Sequence, residues 1–199
     1  MDITEIFQEC DSVVGIDLAA KPHNETGFAI LKKGIAKTML LKSDDEIINH
    51  TLKTKPSIIA IDAPLSLPEG DGIAREADKL LVKKGFRCFW TLLPSMKPLT
   101  LRGIKLKEAL EKQGLRVIEV FPSATQKILG IPTKKAGKEK LLKGLTEQGI
   151  AITTLHPSHH ELDAVTAALT GIFYLAGRYE DAGGKQEGLV ILPLNTMET

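Results

Sequence analysis

Residues 12–20 read SVVGIDLAA, in which three β-branched residues and a glycine lead into a single acid, Asp17. Such an apolar run is typical of a short strand that is buried on both faces. A carboxylate without water is costly, so Asp17 is expected at the carboxyl end of the strand, where the chain leaves the core. Because ligands bind at that end in open α/β sheets, the segment predicts a functional site beside Asp17.

The segment 57–64, SIIAIDAP, repeats this pattern and ends its apolar run in Asp62. The chain between the two segments predicts a hairpin of two strands joined at Lys32-Lys33-Gly34, then a helix capped by Ser43. A helical crossover favours parallel pairing of the two acid-ended strands, so that Asp17 and Asp62 emerge at the same edge of the sheet. The expected intervening elements are strands at 25–31 and 35–41 and a helix at 44–53.

The remaining chain predicts one α/β domain over residues 1–199, with residues 64–101 as an irregular insertion near the site. The sheet is expected to be mixed and mainly five-stranded, in the order three-two-one-four-five, with helices on both faces. Residues 2–10 are expected to form a short lead-in. The other expected elements are helices at 73–84, 101–113, 134–148 and 159–179, and strands at 116–120 and 188–192.

Four acids are the candidate site residues: Asp17, Asp62, Glu119 and Asp163. The first three end, or nearly end, apolar strands, and Asp163 lies beside the apolar stripe of the last long helix. Carboxylates gathered at one place repel each other and need protons or cations. Mg²⁺ or Mn²⁺ suits an all-oxygen site, and two such ions can activate a water and stabilise the leaving oxygen of a phosphodiester.

The charge is unevenly spread, although the net charge of the 199 residues is only +1. Residues 79–143 contain 16 Lys and Arg but 4 Asp and Glu, which indicates a polyanionic partner, DNA or RNA. The two cysteines have no disulfide or metal spacing, and neither a leader nor a membrane-spanning run is evident. A cytoplasmic protein with no membrane partner is therefore expected. The basic residues expected to face the acidic cleft are Arg102, Lys105, Lys107, Lys134, Lys135 and Lys138.

Several alternatives stay open at this level. Each acid could instead be a strand-end, turn or surface residue, and the basic helices could be solvated faces. Either Asp62 or Glu119 could be the middle acid. His156, His159 and His160 precede Asp163 and could assist proton transfer, although loop and helix-start histidines are the more ordinary interpretation. Phe89 and Trp90 could stack on a base, but an apolar anchor is the more ordinary role.

The blocks GIDLAA, AIDAPLSLP, EVFPSAT and HELDAVTAAL, together with the order of elements, resemble a family of predicted ribonuclease H-like nucleases. The resemblance spans residue 13 to about residue 193. It implies a ribonuclease H-like fold, with Asp17 as the first-strand acid, Asp62 or Glu119 as the middle acid and Asp163 as the last-helix acid. Arg75 and Asp78 resemble the Arg-x-x-Asp element of that family, and Arg75 could neutralise charge that develops on a phosphate.

The favoured function is a metal-dependent nuclease that hydrolyses phosphodiester bonds of DNA or RNA at a two-metal carboxylate site. One alternative is a non-catalytic nucleic-acid-binding or regulatory module of the same fold. Another is a small-phosphoester or phosphotransfer enzyme, which is disfavoured because related phosphotransferases pair two such domains and no Walker-type loop is present.

Overall fold

The computed structural model describes residue 7 and residues 11–184 and 186–194. Apart from Phe7, the expected lead-in lies outside the described residues. The strands are β1 (Val13–Asp17), β2 (Thr26–Lys32), β3 (Ile35–Leu41), β4 (Ile58–Asp62), β5 (Val117–Val120), β6 (Ala151–Ile152), β7 (Tyr179–Gly184) and β8 (Gly188–Pro193). The α-helices are α1 (Asp44–Thr54), α2 (Glu76–Lys83), α3 (Lys97–Glu111), α4 (Pro122–Ile128), α5 (Lys138–Glu147) and α6 (His159–Leu175), and Lys134–Ala136 forms a 3₁₀ turn.

The strands form one mixed sheet in the order β6-β3-β2-β1-β4-β5-β8-β7. The expected order three-two-one-four-five is confirmed for the five central strands, but the sheet of the described residues has eight strands instead of mainly five. The hairpin between β2 and β3 is also confirmed, and its turn uses positive φ angles at Lys33 and Gly34. As expected from the crossover, β1 and β4 are parallel neighbours and pair Asp17 with Asp62.

Helices cover both faces of this sheet, and each face has its own apolar core. Helix α6 packs on the face that includes Val13 and Ile58, where Leu162, Val165 and Leu169 are buried. On the opposite face, Ile47 of α1 and Leu106 and Leu110 of α3 pack against Val14, Ile16, Ile59 and Ile61. Residues of one strand alternate between the faces because the side-chain period of a strand is two.

The structure extends the expected elements in three places. Helix α4 begins directly after β5 with Pro122 in its first turn, and β7 pairs with β8 as an antiparallel edge hairpin. The short β6 pairs with β3 in the segment expected to be a loop, and the last helix ends at Leu175. The expected helix at 134–148 is interrupted at Gly137, whose φ of 105° lies outside the helical range.

The insertion expected at 64–101 contains α2 and the start of α3. Arg102 of α3 is buried, and its guanidinium donates to Asp44 Oδ1 and to the carbonyl oxygens of Ala19 and Lys42 at 2.6–2.8 Å. The expectation that Arg102 tracks a phosphate backbone is wrong, because this side chain joins α3 to the start of α1 and to the loops that follow β1 and β3. No helix among the described residues is long and apolar enough to span a membrane.

Candidate active site

The acids of β1 and β4 share one edge and one face of the sheet. Asp17 and Asp62 are register partners at the last position of each strand. They follow the alternation of Val13 and Ile58, whose side chains pack on the side of α6. Both carboxylates therefore lie where the start of α6 crosses the ends of the strands.

Two glycines allow α6 to approach the sheet this closely. A Cβ added to Gly15 of β1 would overlap the carbonyl oxygen of Ala164, and one added to Gly27 of β2 would overlap that of His160. Ser158 is the N-cap of this helix and forms a reciprocal capping box with Glu161. Glu161 also accepts a hydrogen bond from Thr38 of β3 at 2.8 Å, which ties the helix start to the sheet. The first turn of α6 is thus held over the end of β1 and the start of β2.

His160 lies against the first acid. Its Nδ1 is 2.6 Å from Oδ2 of Asp17, and its side chain is about half exposed. The hydrogen bond to Asp17 raises the pKa of His160 because the imidazolium form is stabilised by the carboxylate. His160 and Asp163 are three residues apart on one helix, so both lie on the same face of α6.

Asp163 is buried and holds a polar partner on each oxygen. Gln126 of α4 donates to its Oδ1 at 2.8 Å, and Lys134 donates to its Oδ2 at 3.1 Å. The Lys134 side chain is 60% exposed, so its ammonium reaches the buried acid from the solvent side. Neither Gln126 nor the pairing of Lys134 could be recognised from sequence, because both depend on how α4 and the 3₁₀ turn pack on α6.

The three aspartates interact electrostatically. The pKa of Asp62 is raised well above its usual range, first by burial and then by the charges of Asp17 and Asp163. Burial lowers the pKa of Lys134, but Asp163, followed by Asp17 and Asp62, raises it overall. One ammonium is thus stabilised by all three carboxylates, as a cation bound among them would be.

Glu119 and Arg75 line a pocket that also reaches Asp62, but they form an ion pair of their own. Glu119 is the register partner of Ile61, which packs against the core on the face opposite α6, so it points away from the face of Asp62. The guanidinium of Arg75 donates to both its oxygens, at 2.8 and 2.6 Å, and the backbone N–H of Leu65 donates at 2.8 Å. Arg75 is 1% exposed and also donates to Asp78. Glu119 and Arg75 are therefore buried partners of one another.

The other sequence candidates are on the surface. His156 and His159 are exposed, and His156 has a positive φ of 53°. Phe89 is 70% exposed and Trp90 is 43% exposed.

Burial raises the pKa of Cys88 to about 12, so this thiol stays protonated at neutral pH and is not an activated nucleophile.

The donor chemistry of the three aspartates fits a hard divalent cation, since each supplies carboxylate oxygens from a separate rigid element. Their common interaction with the ammonium of Lys134 supports that fit. In their present rotamers, however, no group of three or more His, Cys, Asp and Glu side chains within the described ranges is arranged to hold a metal ion. Asp17 is turned to His160 and Asp163 to Lys134, so ion binding requires these side chains to exchange partners.

A cleft of about 930 Å³ opens beside Asp62 and Asp163. The loops that follow α2 and α4 line it, and we call it the aromatic cleft. Its lining residues include the aromatic side chains of Phe86, Phe89 and Phe121 and the cationic side chains of Arg87, Lys127 and Lys135. Two acids of the site thus border a space of the size that accommodates small-molecule ligands, ~300–1,000 Å³.

Comparisons with known proteins agree with this architecture. The structure of T. thermophilus RuvC in complex with a Holliday junction substrate is similar, with a TM-score of 0.54 at 14% identity over 83% of this chain and 94% of that chain. A second Thermus thermophilus RuvC structure has a TM-score of 0.47 at 16% identity, covering 83% of this chain and 96% of that one. The first likeness shows that the fold is ribonuclease H-like, as expected from the sequence.

No curated protein matches the sequence. The family model described as "Protein of unknown function (DUF429)" matches residues 15–187, from the first strand to the turn that precedes the last strand. Because this match covers most of the chain, the protein belongs to the DUF429 family.

Proposed function

We propose that this protein is a divalent-metal-dependent nuclease that hydrolyses phosphodiester bonds of DNA or RNA. The observation that carries the proposal is the meeting of Asp17, Asp62 and Asp163, from three separate elements, at one sheet edge. Their mutual repulsion disfavours the folded state and serves no packing purpose, which is typical of a site kept for function. The RuvC structure of the same fold contains a Holliday junction substrate, which supports nucleic acid as the substrate class.

Asp17, Asp62 and Asp163 would hold Mg²⁺ or Mn²⁺. When bound, the metal would supply an activated water and stabilise the negative charge of the leaving oxygen. Of the two candidates for the middle acid, Asp62 is favoured, because it shares a face with Asp17 whereas both oxygens of Glu119 bind Arg75. The proposal therefore gives Glu119 and Arg75 no direct role in the reaction.

The remaining residues would act by position and by proton placement. His160 orients Asp17 through Nδ1 and, when protonated, carries a proton at the edge of the site. Gln126 fixes Oδ1 of Asp163. The ion pair of Glu119 and Arg75 holds the chain after β4 through the hydrogen bond that the N–H of Leu65 donates to Glu119.

A panel of single-stranded, duplex, RNA–DNA hybrid and four-way-junction substrates tests this function. Wild type is expected to cut at least one substrate with Mg²⁺ or Mn²⁺, to be inactive with EDTA or Ca²⁺, and to leave a 5′ phosphate. Asp17→Asn keeps the side-chain volume but removes a ligand charge, so cleavage and Mn²⁺ binding in calorimetry should both be lost. Asp45→Asn, an exposed acid in the first turn of α1, is the matched control and should cut normally.

A non-catalytic nucleic-acid-binding module is the second candidate. It is favoured by the ion pair between Lys134 and Asp163, which already compensates part of the acidic charge. This function predicts nucleic-acid binding that Asp17→Asn does not weaken, without cleavage of any substrate in the panel. That result would replace the nuclease proposal.

A further inference from the structure

The aromatic cleft contains an apolar side chain that the packing of the protein does not use. Phe89 is 70% exposed, although it borders the same space as the buried acid Asp163. Phe86 and Phe121, in contrast, are partly buried against the apolar core around α2 and β8. Phe89 therefore offers a free ring face inside a cleft that leads to the candidate active site.

The loop that carries Phe89 is held in a defined position. Thr91, two residues later, is fully buried, and both its N–H and its hydroxyl donate to Oδ2 of Asp78, at 3.0 and 2.7 Å. The N–H of Leu92 donates to the carbonyl oxygen of Ile73 at 2.9 Å. Asp78 is itself fixed by Arg75. The exposure of Phe89 is thus a feature of an anchored loop.

Cationic side chains line the same cleft as the Phe89 ring. Arg87, Lys127 and Lys135 line the cleft, and Lys134 lies where the cleft meets Asp163. The Lys127 ammonium lies 5.3 Å from the centre of the Phe86 ring and donates to the carbonyl oxygen of Gly85. An aromatic face flanked by cations is the combination that binds a base together with its phosphates.

We propose that the aromatic cleft binds an unpaired nucleotide of the nucleic acid, with its base stacked on Phe89 and its flanking phosphates beside Arg87, Lys127 and Lys135. This inference deepens the proposed function, on which it rests, by naming single-stranded segments as the preferred substrate. The continuity of the cleft with Asp62 and Asp163 places the phosphate next to this nucleotide at the acids.

The preference for an unpaired base follows from stacking geometry. In a duplex, neighbouring base pairs cover both faces of every internal base, so Phe89 has no face to contact. A single strand, a loop or a branch point provides a base whose face is accessible without the cost of unpairing it. Bases of every type have such a face, so the cleft selects strand state and not sequence.

Equilibrium binding tests the inference without any need for turnover. Fluorescence anisotropy would measure the affinity of 12-nucleotide dT and rU single strands and of a blunt 12-base-pair duplex, in EDTA and again in Ca²⁺. Phe89→Ala and Phe89→Leu remove the ring and should weaken single-strand binding by about fivefold or more, with duplex binding nearly unchanged. Phe89→Tyr retains the ring and should bind like wild type. Val82→Ala removes an exposed apolar side chain of α2 outside the cleft and is the control.

The inference would be overturned if Phe89→Ala and Phe89→Leu bind single strands with unchanged affinity, or if they lose duplex affinity to the same extent as single-strand affinity. A wild type that binds no single strand would overturn it as well. Preferential binding of a peptide-like competitor over the strands would assign the cleft to a protein partner and overturn it too. Cleavage assays separate this result from the proposed function. A wild type that cuts no substrate but shows the Phe89-dependent preference refutes the nuclease alone, whereas cleavage without that preference refutes the cleft assignment alone.

Discussion

His160 Nδ1 lies 2.6 Å from Oδ2 of Asp17, and this contact joins residues that are 143 positions apart in the chain. It links the first turn of α6 to the end of β1, directly beside the register pair of Asp17 and Asp62. Asp163 lies on the next turn of the same helix, so the start of α6 sets the positions of both His160 and Asp163. The electrostatics of this small region supports several predictions.

Replacement of His160 by Gln should change how stability depends on pH. The hydrogen bond to Asp17 raises the pKa of His160 in the folded protein above the usual value of about 6.5. The associated stabilisation is fully present below that value and is lost as the pH rises through the raised pKa. In urea unfolding, the free energy of unfolding of wild type should fall as the pH rises through this range, and that of His160→Gln should not. The fall should be less than about 1 kcal/mol because the side chain is half exposed. His159→Gln, an exposed neighbour, should behave as wild type, and an unchanged fall in His160→Gln would contradict the assignment.

Asp62→Asn should make the metal-free protein more stable at neutral pH. Burial, Asp17 and Asp163 raise the pKa of Asp62, so ionisation of this carboxyl disfavours the folded state above the usual Asp pKa of about 3.9. Asn has nearly the same volume and no charge to ionise. Chemical unfolding at several pH values should show the gain at pH 7 shrinking towards pH 4. A variant less stable than wild type at pH 7 would show that Asp62 is a structural acid.

Lys134→Gln should bind Mn²⁺ several-fold more tightly than wild type if the aspartates hold metal as proposed. The Lys134 ammonium interacts with Asp163, Asp17 and Asp62 and competes with any other cation there. Titration calorimetry measures the affinity directly. Lys143→Gln removes an exposed lysine that pairs with Glu147 on α5 and should have no effect. Equal or weaker binding by Lys134→Gln would mean that the ammonium does not occupy the metal position.

Glu119→Gln should damage stability and spare metal binding. The carboxylate is buried and pairs with a fully buried guanidinium, so its neutralisation leaves Asp78 as the remaining anionic partner of Arg75. Removal of one partner of a buried ion pair costs about 3–5 kcal/mol of unfolding free energy, and we expect the lower end because Asp78 still pairs with Arg75; urea unfolding measures the loss. Glu180→Gln, which breaks the exposed pair with Lys84, should cost less than about 1 kcal/mol. Loss of Mn²⁺ affinity in folded Glu119→Gln would restore Glu119 as a metal ligand.

Gly27→Ala should displace the start of α6. The added methyl would overlap the carbonyl oxygen of His160, so either the helix must move or the fold must weaken. We expect a loss of about 3 kcal/mol, at the upper end for an overpacked core, together with loss of cleavage. Gly72→Ala is the matched control, because the nearest atoms to its added Cβ are 3.8 Å away. Wild-type stability in Gly27→Ala would show that the close approach is not required.

Local patterns were sufficient to predict the centre of the fold. Apolar runs, a Lys-Gly turn and a capped crossover helix predicted the hairpin, the parallel pairing of β1 with β4 and the order of the five central strands, all of which the structure confirms. Helix α4 and strand β7 were missed because they contain few apolar alternations of their own. Packing stabilises both: α4 contacts α6 through the hydroxyls of Thr125 and Thr170, and β7 pairs with β8.

The sequence by itself determined that acids end the two most apolar strands, because a charged side chain is tolerated only where such a strand leaves the core. It left open which acids meet, since that depends on register and face. Register pairs Asp62 with Asp17 on the side of α6, whereas Glu119 pairs with Ile61 on the other side and is neutralised by Arg75. Contacts among distant parts of the chain also bring His160 to Asp17 and Lys134 to Asp163. Only the tertiary structure could decide these contacts, because they join residues far apart in the chain and no local sequence pattern indicates them.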